Sequence, residues 1–161
     1  MSWNYNLKMV IFSSAVLLGC GCSKIGLKPL PTAPLALINV EITASEYINP
    51  TISGRPSPVV VRLYELKNLT TFNAADFFTL YRNDLETLTG DLVKREEYVL
   101  HPGGKKIYRH KASEEARYLA VIAAFRDIDQ AAWKGSLPIP ASRTTNITVQ
   151  VNKLGLTLEV Q

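Results

Sequence analysis

The sequence predicts a mainly β domain, a two-layer sandwich with one amphipathic helix inserted after its second strand. Three observations carry that prediction. Several short segments alternate apolar and polar residues with a period of two, the signature of strands that bury one face. Pro and Gly clusters punctuate them at short intervals, as between strands of a sandwich. Only one stretch repeats its apolar residues at helical spacing. With 161 residues, 47% apolar and 20% charged, the chain has the composition of one globular domain with a real core.

The chain opens with an apolar run, Met9 to Leu18, behind Lys8, the only charge in the first nineteen residues. At about ten residues the run is half the roughly 20 needed to cross a bilayer, and it reads as the h-region of a signal peptide. It ends in Leu17-Leu18-Gly19-Cys20, followed by Gly21-Cys22-Ser23. This resembles the lipobox of bacterial lipoproteins, which implies a diacylglyceryl thioether and an N-acyl chain on the cysteine. Cys20 has a large apolar residue three places before it and Gly19 directly before it; Cys22 fits the pattern less well and is the second choice. Each buried CH2 contributes ~0.8 kcal/mol, so two or three chains anchor a protein where one holds only marginally. Residues 1–19 are therefore expected to be the signal peptide. Residues 20–34, with Pro29, Pro31 and Pro34, form a semi-rigid tether, and 35–161 the folded domain.

Strands begin after the tether. Ile38, Val40 and Ile42 alternate with Asn39, Glu41 and Thr43. Val59 to Leu66 is β-rich throughout and is entered through Pro56 and Pro58. A helix capped by Asn73 should follow, with Asp76 in its first turn, Phe72 and Phe77 as a hydrophobic staple, and Leu80, Tyr81, Leu85 and Leu88 on its apolar face. Glu97 to Leu100 and Lys106 to His110 flank His101-Pro102-Gly103-Gly104, a hairpin-type breaker. Leu119 to Phe125 is apolar on both faces, as a covered central strand would be. Leu137 to Pro140 suits an edge. Ile147 to Val151 and Leu154 to Val160 alternate cleanly about a tight Asn152-Lys153 turn.

Candidate chemistry is sparse. The only two cysteines lie at the leader junction, so residues 35–161 hold no disulfide or thiolate metal site. His101 and His110 lack the neighbours that make a metal pair and read as surface histidines. Glu96-Glu97 and Glu114-Glu115 are adjacent residues that point apart in extended chain, and read as solvated charges. No Gly-rich phosphate loop is present, and the net charge of +4 is scattered, without the stripe that nucleic acid requires. Neither an enzyme nor a cofactor is expected, beyond the acyl groups on the cysteine. Binding is the better reading, and its best candidate is Tyr47-Ile48-Asn49-Pro50-Thr51-Ile52-Ser53-Gly54-Arg55, in a connection too long for an ordinary hairpin. Tyr47, Ile48, Ile52 and Arg55 are residue kinds that anchor interfaces. The alternative is a surface loop whose apolar residues fold back onto the core.

Asn49 and Gly54-Arg55-Pro56-Ser57-Pro58-Val59-Val60-Val61-Arg62-Leu63-Tyr64-Glu65-Leu66-Lys67, then Phe72 and Ala75-Asp76-Phe77-Phe78, resemble the TssJ (VasD/Lip) lipoproteins of the bacterial type VI secretion system. Leu92-Val93, Pro102-Gly103, Tyr118 to Arg126 and Trp133-Lys134 follow in the same order. The resemblance implies a transthyretin-like sandwich on the periplasmic face of the outer membrane. It also implies a partner, the periplasmic C-terminal region of TssM, and through it the TssL-containing membrane complex. In that family the loop between the first two strands contributes to partner binding. Thr51 departs from the pattern, since the family often has an acidic residue there. Gly21 in place of aspartate implies sorting to the outer membrane. The rival reading is a transthyretin-like periplasmic lipoprotein with a small-ligand or cell-wall hydrolytic role, for which His101 and His110 are the best candidates. An assembly chaperone for another lipoprotein is a third.

Overall fold

A computed structural model describes residues 37–140 and 143–161, all within the unit Ala33–Gln161. The leader, Cys20, Cys22 and the tether lie outside the described residues. The elements are β1 (Leu37–Ala44), β2 (Val59–Leu66), α1 (Thr70–Ala74), α2 (Phe77–Thr87), β3 (Leu92–Leu100), β4 (Lys105–Lys111), β5 (Tyr118–Ala123), β6 (Lys134–Pro138), β7 (Thr145–Val151) and β8 (Leu156–Val160). Two four-stranded sheets stack, with orders β4-β1-β7-β8 and β3-β2-β5-β6. β1 and β7 run parallel; the other pairings are antiparallel.

The period-two pattern explains the stacking. Ile38, Val40 and Ile42 of β1 and Ile147, Val149 and Val151 of β7 face Val59, Val61 and Leu63 of β2 and Leu119 and Val121 of β5 across the sandwich. The second sheet is also covered on its other side. Tyr64, Leu66, Ala120 and Ile122 pack there against Phe72, Leu80 and Leu88 of the helical segment. β2 and β5 are thus buried on both faces, and for that reason they read as continuous apolar runs. Each fully buried Leu, Ile or Phe contributes about 1.5–3 kcal/mol by leaving water.

Four expectations are corrected. The helix is not one segment capped at Asn73. Asn73 lies inside α1, the chain breaks at Ala75–Asp76, and Asp76 is the N-cap of α2. Its carboxylate accepts from Thr79 N at 2.9 Å and from the Thr79 hydroxyl at 2.6 Å. Lys134 of β6 closes the end of α1, its Nζ donating to the Asn73 and Ala75 carbonyls at 2.9 and 3.0 Å. Local sequence could not show that distant cation. A kink at Asn83 (φ −133°, ψ 32°) then turns Leu85 outward, 60% exposed, and aims Asp84 at the sheet.

The Pro-Gly-Gly reversal does not make a hairpin. β3 pairs with β2, and β4 pairs with β1, so residues 101–104 carry the chain from one sheet to the other. Stacked sheets lie about 10 Å apart, twice the spacing of paired strands. Gly103 takes φ +67°, a conformation that favours glycine, and donates its N–H to Ser45 O at 3.2 Å. The last hairpin turns over four residues, 152–155, because Val151 pairs with Leu156. Leu154 leaves the strand pattern because its carbonyl accepts from Ala132 N at 2.9 Å, and Gly155 bridges Ala132.

Asp84 meets a charged cluster under the helices. Its Oδ2 accepts from Tyr64 OH at 2.9 Å, Arg95 Nε at 2.7 Å and Arg62 Nη1 at 3.2 Å. Arg62 and Arg95 share Glu97 Oε2, at 2.6 and 2.8 Å, and Arg62 lies over the Tyr81 ring. Glu97, read from sequence as a solvated charge, is a member of this cluster. Burial alone would raise the Asp84 carboxyl, but hydrogen bonds from Arg95 and Tyr64 and the two arginine charges outweigh it and hold it below the usual carboxylate range. The Arg62 hydrogen bond holds Glu97 low as well.

Asp84→Ala should lower stability by about 3 kcal/mol, because it strands buried arginine charge, whereas Leu85→Ala should change it by less than about 0.5 kcal/mol. Urea unfolding monitored by circular dichroism checks both. A carboxyl held low in the fold adds stability above its unfolded value, about 4, and loses it as pH falls further. The midpoint should therefore drop between about pH 5 and pH 2, and drop less in Asp84→Asn, which has no charge to lose there.

Candidate functional site

The candidate loop, residues 45–58, runs from the end of β1 to the start of β2 and so crosses between the sheets. The structure divides its residues into two sets. Ile48 is wholly buried in the core between the sheets, and Asn49 is 5% exposed. Tyr47 is 68% exposed, Ile52 is fully exposed, and Ser53, Gly54 and Arg55 are exposed beside it. The fold-back alternative thus holds for Ile48 and Asn49, which turn inward and anchor the loop, while Tyr47, Ile52 and Arg55 face solvent.

Asn49 holds the loop in place. Its backbone adopts φ +45°, tolerated by asparagine better than by most side chains. Its side-chain Nδ2 donates to Pro58 O at 2.7 Å, where the loop closes into β2. Oδ1 accepts from Arg126 N at 2.7 Å, after β5. Its N–H donates to Lys153 O at 3.1 Å, in the β7–β8 turn, and its carbonyl accepts from the Ser57 hydroxyl. One buried amide thus joins three connections that are distant in sequence.

The exposed arm is ordered by its own turn. Gly54 N donates to Thr51 O at 2.8 Å, and Thr51 N to Arg55 O at 2.8 Å. Gly54 takes φ +79°. The Thr51 hydroxyl accepts from Arg55 N at 3.1 Å and lies 3.0 Å from the Ser53 hydroxyl. The threonine that departs from the family pattern is thus engaged in shaping the loop. Pro50, Thr51 and Ile52 line a groove of about 480 Å³ with Arg126, Asp127 and Leu154. Nothing in the sequence linked those last three residues to the loop, because only the topology brings the β5–β6 and β7–β8 connections to this end.

The two histidines are not brought together. His101 sits exposed in the 101–104 reversal, and His110 lies at the far end of β4. His110 is only half-exposed: its Nδ1 is 3.5 Å from Oε1 of buried Glu65, which accepts from Tyr108 OH at 2.6 Å. Among the described residues no group of three or more His, Cys, Asp or Glu is placed to hold a metal ion.

Fold and loop define a class: small two-sheet β-sandwiches that present a pinned loop at one end. A model of the type VI secretion lipoprotein family (VasD, EvfM, TssJ) matches residues 36–154, and the chain belongs to that family. The crystal structure of the type VI lipoprotein TssJ1 from Pseudomonas aeruginosa is 34% identical, with a TM-score of 0.76 over 80% of this chain and 98% of that one. A chain of a type VI membrane complex is 30% identical (TM-score 0.68, 78% of this chain and 98% of that one). A chain in a structure described as the TssM C-terminal domain from EAEC is 28% identical (TM-score 0.64, 78% and 98%). A search of curated proteins found no match. The family carries a role in the type VI secretion membrane complex, and its description names a secretion lipoprotein, not an enzyme.

Asn49→Ala should destabilise the domain by about 2–4 kcal/mol, since it leaves the Arg126 N–H and the Pro58 carbonyl without partners and keeps a strained φ. Asn49→Gly should recover only the backbone part. Ile52→Ala should be neutral within about 0.5 kcal/mol. Denaturant midpoints of the three variants are the check.

Proposed function

We propose that this protein is a lipid-anchored structural adaptor, fixed in the outer membrane by acyl groups on Cys20 and gripping the periplasmic C-terminal region of TssM with its loop. The observation that carries the reading is the pairing of an inward half, Ile48 and Asn49, with an outward half, Tyr47, Ile52 and Arg55. A fully exposed isoleucine held on a turn with four backbone and side-chain hydrogen bonds has already lost the freedom that docking would otherwise take from it. An exposed apolar residue that shares its loop with an exposed tyrosine and arginine has the residue kinds of an interface centre. The relatives support the partner: one matched chain comes from a type VI membrane complex, another from a structure described by the TssM C-terminal domain. Through TssM the adaptor would join the TssL-containing complex.

Anchor and loop then act in series, and losing either breaks the link between the membranes. Cys20→Ala should move the protein from the membrane to the soluble envelope fraction; continued attachment would place the lipid on Cys22 or remove it from the account. Ile52→Asp should weaken binding to the TssM C-terminal region at least about tenfold, and Arg55→Glu by less, with unchanged unfolding midpoints. Calorimetric titration against that region measures both, and wild-type affinity in Ile52→Asp would put the interface elsewhere.

A further inference from the structure

The end of the sandwich away from the loop carries a second surface. There the ends of β2, β6 and β8 meet the starts of β1, β5 and β7, and an open groove of about 680 Å³ crosses from one sheet to the other. Its rim holds three exposed cations, Lys67, Arg117 and Arg143, and its walls include Tyr118, Pro138 and Val160. Val160 is 57% exposed, an apolar side chain left uncovered beside charge. Lys67 pairs with Glu115 at 2.5 Å, but both ends are well exposed, and such pairs exchange readily for another anion. The same end is where the chain enters: Leu37 N donates to Thr144 Oγ1 at 3.3 Å, next to Arg143. Leu37, the first described residue, thus stands at this end, and the sequence shortly before it carries Lys24 and Lys28.

We propose that this groove is a docking surface for anionic phospholipid headgroups, so that the domain lies with this end against the bilayer and the loop points away from it. The inference rests on the anchored reading above. Cations match the phosphates, and the apolar walls match the glycerol and upper acyl region, the composition of interfacial membrane contacts. Weak contacts suffice, because a tether already confines the domain near the surface and replaces a bimolecular step with a local one.

Hydrogen exchange of the acylated mature protein tests this in vesicles of phosphatidylcholine alone and of phosphatidylcholine with about one third phosphatidylglycerol. Peptides covering 112–118 and 138–145 should exchange about fivefold more slowly in the anionic vesicles only. That protection should vanish at about 0.5 M salt, and in the Lys67→Glu/Arg117→Glu/Arg143→Glu variant, whose fold is checked by its thermal midpoint. Equal exchange in both vesicles, with the protein attached to each, overturns the groove but leaves the anchor standing. Protection that arises only on adding the TssM region assigns the groove to protein and also overturns it. Failure to attach to either vesicle defeats the anchor, and the proposal with it.

Discussion

The amide of Asn49 is the constraint on which the loop end of this protein depends. It lies at the mouth between two sheets that share no strand. There it satisfies a carbonyl at the start of β2 and an N–H beyond β5, while its backbone bonds the β7–β8 turn. A buried polar side chain is tolerable only when its hydrogen bonds are made, and this one makes them to two segments while its own backbone reaches a third. The loop it holds is consequently part of the fold. Ile48, next to it, adds a core contact, and the exposed turn from Thr51 to Arg55 is built on that base.

A second constraint acts at the other layer. The sheet β3-β2-β5-β6 is apolar on both faces over β2 and β5, so it needs a cover that strands alone do not supply. α1 and α2 provide it, and they are fixed by charge as well as by apolar contact. The Asp84, Arg62, Arg95 and Glu97 cluster leaves no member unpaired, which offsets the desolvation that burying it entails. Its geometry also accounts for the kink at Asn83, which trades an apolar side chain for a carboxylate facing the sheet.

What the sequence made legible follows from what is local. Strand positions in β1, β2, β5 and β7 could be read because each alternation reports the burial of that strand alone. Family membership could be read too, from the block Gly54 to Lys67 and the order of the weaker blocks after it. Pairing could not: the residues on either side of the Pro-Gly-Gly reversal look like hairpin partners until β2 and β1 are seen to have taken them. The helix start was misplaced because Lys134, which ends α1, lies far along the chain. Within the loop, composition marked Ile48 and Ile52 alike. One is core and the other is bare surface, and the difference is set by Asn49 and by a partner 77 residues away.

A sandwich of this lipoprotein family, with a pinned, partly apolar loop at one end and its first described residue at the other, has two opposed ends free for separate contacts. We propose the loop as the gripping surface. An amide chemical-shift map of the isotope-labelled protein, titrated with the TssM C-terminal region, tests it most directly. The account predicts that the largest changes fall on Tyr47 and on Thr51 to Arg55, with Arg126, Asp127 and Leu154 following. Changes confined to the outer face of α2 around Phe78 and Leu85, with the loop silent, would contradict it.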